Sequence, residues 1–115
     1  MFEEVKLFAL GQKQASGDPS TLPAEDALAI ARGLGSPVLG GTSLAVGEPA
    51  DFLLLRSSEP ELSAGDLDAD LVYAAGGAVV DTTVVAGRAL MRDRVVPAAD
   101  ELVAEVRSRA TRLTG

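Results

Sequence analysis

The chain has 115 residues, of which ten are basic, seventeen acidic, and none histidine or cysteine; it has room for one domain that buries roughly 65% of its unfolded surface. That is well short of the about 250 residues of an eight-stranded barrel enzyme, and without imidazole or thiolate it offers neither the zinc sites that need them nor a Ser-His-Asp or Cys-His nucleophile. A net charge of −7 speaks against nucleic acid or an anionic membrane as partner, because both are held by basic patches.

Residues 1–14 place Phe2, Val5 and Ala9 at helical spacing, with Glu3 and Glu4 at the end where the helix dipole favours acids. Residues 15–21 collect Ser16, Gly17, Asp18, Pro19 and Ser20 and predict a surface loop. Pro23 suits a first helical position, and Ala27, Leu28, Ile30 and Ala31 give a second apolar face that ends near Gly33 or Gly35. Ser36-Pro37 reads as the start of a further short helical turn, closed by Gly40 and Gly41.

Beyond Gly41 the period changes. The run Phe52-Leu53-Leu54-Leu55 predicts a strand buried on both faces, and the polar, acidic residues 56–70 predict a loop. Val79 to Val85 is rich in Val and Thr and reads as a strand, Ala86-Gly87 as a two-residue turn, and Arg88 to Met91 as the return strand. A second tight turn falls near Arg92-Asp93, and Pro97 stops the sheet. Residues 98–113 carry Leu102, Val103, Val106, Ala110 and Leu113 on one face, with acids first and arginines last. The expected class is α+β: two to three helices, a small mainly antiparallel sheet and a C-terminal amphipathic helix. The expected regions are 1–41, 42–97 and 98–115, together one compact domain.

Few side chains suggest chemistry. Asp66, Asp68 and Asp70 alternate as in a calcium loop, yet Leu71 stands where the loop needs Gly and Gly77 where it needs Glu; a solvated acidic loop is expected. Gly33-Leu34-Gly35 and Gly76-Gly77 do not match G-x-G-x-x-G and read as helix ends and turns. Lys6 and Lys13 read as exposed charge, and Tyr73 as a residue at the edge of the core without a partner base. Asp51, directly before the apolar run, needs a donor, for which a backbone amide near Gly47 is a candidate. No catalytic, cofactor-binding or metal-binding residue is assigned. The acidic N-terminal region is unlike a signal peptide, so the expected compartment is cytoplasmic, with no membrane association.

Two segments carry a resemblance. Thr42-Ser43-Leu44-Ala45-Val46-Gly47-Glu48-Pro49-Ala50-Asp51 before Phe52–Leu55, and Leu71-Val72-Tyr73-Ala74-Ala75-Gly76-Gly77 running into Val80–Arg88, resemble the C-terminal part of the amidohydrolase superfamily. Met1–Leu7 and Pro23–Leu28 resemble that family's helices after the last barrel strands. Departures are Leu34 where Asn is common, Thr42 where Gly is usual, and Arg94 where Gly often closes the last turn.

The resemblance implies a parent activity: hydrolysis of C–N or C–Cl bonds in nucleobase-like rings by a water activated on zinc or iron. It also implies that the histidines and the aspartate that hold this metal lie before Met1, so that residues 1–41 are a remnant of the barrel end and 42–97 part of a composite sandwich. The chain alone is then expected to be inactive and to hold no cofactor. Three readings follow: a truncated hydrolase segment, a subunit of a split hydrolase completed by a barrel partner, or a small oligomeric binding or assembly module. Uncovered apolar surface predicts self-association as a two-fold dimer.

Overall fold

A computed structural model describes residues 1–41 and 43–114. Helix α1 (Phe2–Ser16) ends at Gly17 in the left-handed conformation, φ 68°, where the missing Cβ removes the usual penalty. Helix α2 (Ala24–Ala31) follows. Pro23 precedes it as the cap residue, φ −53° and ψ 158°, one position earlier than the first helical position expected. The turn begun at Ser36 forms, with the Leu39 amide donating to Ser36 Oγ at 3.1 Å, but it stops after one turn instead of becoming a third helix. The reason is a close approach: Leu34 and Gly41 pair in a parallel bridge. A Cβ built on Gly41 would lie 2.0 Å from the Arg32 carbonyl oxygen, so only glycine lets the two backbones meet. Thr42 and its departure from the family pattern lie outside the described residues.

The sheet is antiparallel throughout, in the order β1 (Phe52–Leu55), β2 (Val80–Val85), β3 (Arg88–Met91). Phe52 faces Val84 and Leu54 faces Thr82, and an irregularity then sets Leu55 opposite Val80. The turn between β2 and β3 takes left-handed conformations at Ala86 (49°) and Gly87 (74°), the twist that a two-residue hairpin needs. Arg92 and Val95 close a second such turn, with Asp93 and Arg94 at φ 51° and 64°. The expectation of a strand buried on both faces fails for β1: Leu53 and Leu54 are exposed, although Thr82, opposite Leu54, is buried.

The expected loop 56–70 is partly helical. A 3₁₀ turn covers Pro60–Leu62, and Asp66 caps a short helix α3 (Leu67–Ala69) by accepting from the Ala69 amide at 3.1 Å. This helix widens into a π-helical turn, Asp70–Ala74, closed by the Ala75 amide donating to the Asp70 carbonyl at 2.8 Å. The wider turn brings Val72 inward.

Two apolar clusters result. Val5 and Ala9 of α1, Ala27 of α2 and Val72 of the π turn are buried together, with Leu28 and Tyr73 beside them. Ala75, Val79 and Val80 form the second, flanked by Phe2, Leu55 and Met91. The small side chains of Ala9 and Ala27, both fully buried, leave room for α1 and α2 to approach closely. Helix α4 (Ala99–Thr114) joins neither cluster, and every residue from Asp100 to Leu113 is exposed. The Cα radius of gyration is accordingly 17.5 Å, against about 13 Å for a compact domain of 100 residues. Among the described residues no helix is long and apolar enough to cross a membrane.

Candidate functional site

Polar side chains meet most closely at the open end of the sheet. Arg56, just after β1, donates from its guanidinium to Asp81 Oδ1 at 2.6 Å, and Thr82 Oγ1 donates to Asp81 Oδ2 at 3.0 Å. These two bonds, the arginine's foremost, hold the Asp81 carboxyl below the usual aspartate range. Arg56 is raised in turn by the same partner. Beside them Arg94 donates to Glu59 Oε1 at 2.5 Å and to the Ala78 carbonyl, while its own amide donates to the Asp81 carbonyl at 2.9 Å. Of these four charged residues the sequence by itself singles out only Arg94, as a residue standing where a turn glycine is common, and assigns it no partner. Their pairing depends on strand register, which spacing along the chain does not encode.

A proton-transfer catalyst needs a group free to change its charge near the working pH. Asp81 is instead held ionised by Arg56, and with Glu59, paired to Arg94, it ties the segment after β1 to β2 and the second hairpin turn. The cluster is a clasp that keeps the sheet's end closed.

The residues weighed from sequence are scattered. Asp51 Oδ1 accepts from the Ala86 amide at 2.5 Å, not from an amide near Gly47, so its carboxylate stitches the approach to β1 onto the hairpin. The Gly87 amide adds a bond to the Ala50 carbonyl at 3.0 Å. Lys13 is not simply exposed charge: its ammonium donates to the carbonyls of Pro19 at 2.7 Å and Thr21 at 2.8 Å, fastening the loop after α1. Lys6 pairs with Glu3 at 3.7 Å. Tyr73 sits at the edge of the first cluster.

The acidic run divides instead of forming one solvated loop, since Asp66 caps α3 while Asp70 is buried and accepts from the Ala64 amide at 3.2 Å. Gly33 and Gly76-Gly77 serve a helix end and a turn. Among the described residues no three acidic side chains converge into a metal-binding group. Two hollows on the surface are open grooves. One, of about 480 Å³, runs along Arg94–Glu101, and another, of about 550 Å³, lies by Leu10 and Lys13; neither is enclosed enough to exclude water from a reaction.

No family model matches the chain, but individual proteins do. It is 39% identical over 116 residues to a 5'-deoxyadenosine deaminase of Methanoregula boonei, an alignment covering 98% of this chain and 26% of that protein. It is 47% identical over 107 residues to a 5-methylthioadenosine/S-adenosylhomocysteine deaminase of Desulforudis audaxviator, covering 88% of this chain and 25% of that protein. A crystal structure of an adenosine deaminase from Xanthomonas campestris with bound zinc superposes with a TM-score of 0.88 at 29% identity, over 99% of this chain and 28% of that one. The chain thus spans about a quarter of the length of the curated relatives it matches.

The zinc of that neighbour does not fit the residues present here. The chain has no histidine or cysteine to offer, and the nearest approach to a polar centre is saturated by arginines. Sequence likeness along nearly the whole chain and the superposed α+β architecture nonetheless agree: the chain belongs to the amidohydrolase superfamily, and its counterparts there are deaminases.

Proposed function

We propose that this chain is a structural segment of an adenosine-type deaminase, corresponding to the C-terminal part of that fold, and that the residues which bind metal and transform substrate lie outside these 115 residues. The observation that carries this reading is the TM-score of 0.88 over 99% of the chain but only 28% of a zinc-bearing deaminase, in a chain without histidine or cysteine. Hydrolytic deamination needs an activated water. No side chain described here is placed to activate one, so the segment contributes support and not chemistry. The acidic, cysteine-free composition suits a cytoplasmic protein.

The surface supports the same reading. Leu7, Phe8 and Leu10 on the outer side of α1 are exposed, as are Val38, Leu39, Leu44 and Val46 in the segment that leads to β1. Such apolar area, close to two packed clusters, is what the remaining three quarters of a deaminase would cover. The proposed substrates of the completed fold are adenine nucleosides altered at the 5' position, after the names of the relatives. The reading is the same whether the remainder belongs to one polypeptide or to a separate subunit.

The test is complementation. The chain alone, assayed for ammonia release from adenosine, 5'-deoxyadenosine and 5-methylthioadenosine, is expected to give none. Mixed with the Methanoregula boonei deaminase lacking its matching segment, it is expected to associate and restore zinc-dependent turnover. Turnover by the chain alone overturns the proposal.

A further inference from the structure

We infer that α4 is a self-association element through which two copies of the chain pair, helix against antiparallel helix. The need for an occupant comes first. Leu102, Val103, Val106 and Leu113 are 45 to 87% exposed on a 16-residue helix, and an isolated helix of that length is marginal in water. Its own chain leaves this face uncovered.

The pattern then points to a second copy. Ala99, Val103, Val106, Ala110 and Leu113 recur at alternating spacings of four and three, the seam of a two-stranded coiled coil. The seam maps onto itself under a two-fold axis: with Val103 opposite Val106 of the second copy, Ala99 falls opposite its Ala110. Charge repeats the symmetry. Asp100, Glu101 and Glu105 occupy the first half of the helix and Arg107, Arg109 and Arg112 the second; of these, Glu101, Glu105 and Arg112 face away from the seam and Arg109 pairs with Glu105 in its own helix, which leaves Asp100 and Arg107 as the opposite charges at its edge.

Asp100 and Arg107 flank the apolar stripe on one side, and the two-fold brings each beside the other's counterpart, twice per dimer. The helix is also electrically neutral, so the entire net charge of −7 resides on the rest of the chain. Two copies therefore meet at a long element that does not add to their mutual repulsion. This inference does not rest on the deaminase reading, which concerns α1 and the segment before β1.

Sedimentation equilibrium of the full chain at low ionic strength, from micromolar to sub-millimolar concentration, tests it. A reversible dimer is expected. Val106→Asp is expected to weaken it at least about tenfold, since it puts a charge into the seam, with the sheet's spectroscopic signal unchanged. Asp100→Arg and Arg107→Asp, each alone, are expected to weaken it roughly tenfold by setting like charges together. The double exchange is expected to restore most of the loss. In a parallel pair the two positions lie about 10 Å apart along the axis, and the exchange restores nothing. A chain that stays monomeric throughout overturns the proposal, as does a dimer indifferent to Val106→Asp or a double exchange no tighter than the single ones.

Discussion

Helices α1 and α4 are nearly equal in length, both open with two acids and both carry a basic residue in the last turn, yet one is anchored and the other projects. Helix α1 buries Val5 and Ala9 against Ala27 and Val72, while α4 buries nothing between Asp100 and Leu113. The contrast is not one of amphipathic quality, for α4 has the longer apolar stripe. What α1 has is a complementary neighbour, a short α2 with alanine at the contact and a π turn that delivers Val72. A helical stripe states that a face wants covering and leaves the identity of the cover open.

That contrast can be broken from either side. The largest effect is expected from Val72→Asp, which places an unpaired charge at a fully buried position; a loss of several kcal/mol should unfold the body at ambient temperature, seen as loss of sheet signal in circular dichroism. A matched pair comes next. Ala9→Leu inserts three carbons into the α1–α2 contact and is expected to cost about 1–3 kcal/mol in urea unfolding. Ala104→Leu, the same change on exposed α4, is expected to stay within about 0.5 kcal/mol. Equal costs for the two would erase the distinction between a packed and a projecting helix.

Smaller still is Ala86→Gly. Ala86 holds φ 49° with a side chain that disfavours it, so glycine is expected to stabilise by about 0.5 kcal/mol, read as a small rise in Tm. The smallest effect concerns pH. Asp81 titrates below its unfolded value because Arg56 and Thr82 hold its ionised form. Its contribution is therefore present above the unfolded aspartate pKa of about 3.9 and is lost as pH falls through the lower folded value. The difference in Tm between the chain and its Asp81→Asn variant is expected to narrow as pH drops from 6 towards 2. A constant difference would mean that the clasp does not distinguish the charged form.

Much of this was legible before any coordinates. Runs of Val and Thr placed β2, Ala86-Gly87 placed the hairpin, and the box from Leu71 to Gly77 carried the family resemblance that the deaminase relatives then supported. The clasp of Arg56, Asp81, Arg94 and Glu59 was not legible, because it arises where registers bring distant segments together. Nor was the role of Lys13. Three carbonyls gather around its ammonium only because the loop after α1 turns back, with Gly17 and Leu22 in left-handed conformations.

The sequence by itself determined the helices α1, α2 and α4, the three strands, the two hairpin turns and the lack of imidazole and thiol chemistry, since these follow from local periodicity, glycine placement and composition. The tertiary structure alone decided which apolar faces are covered. Burial is a property of pairs of surfaces, and Val72 and Val106 are the same residue type in two helical segments: the first is buried against α1 and α2, and the second stays largely exposed within its own chain.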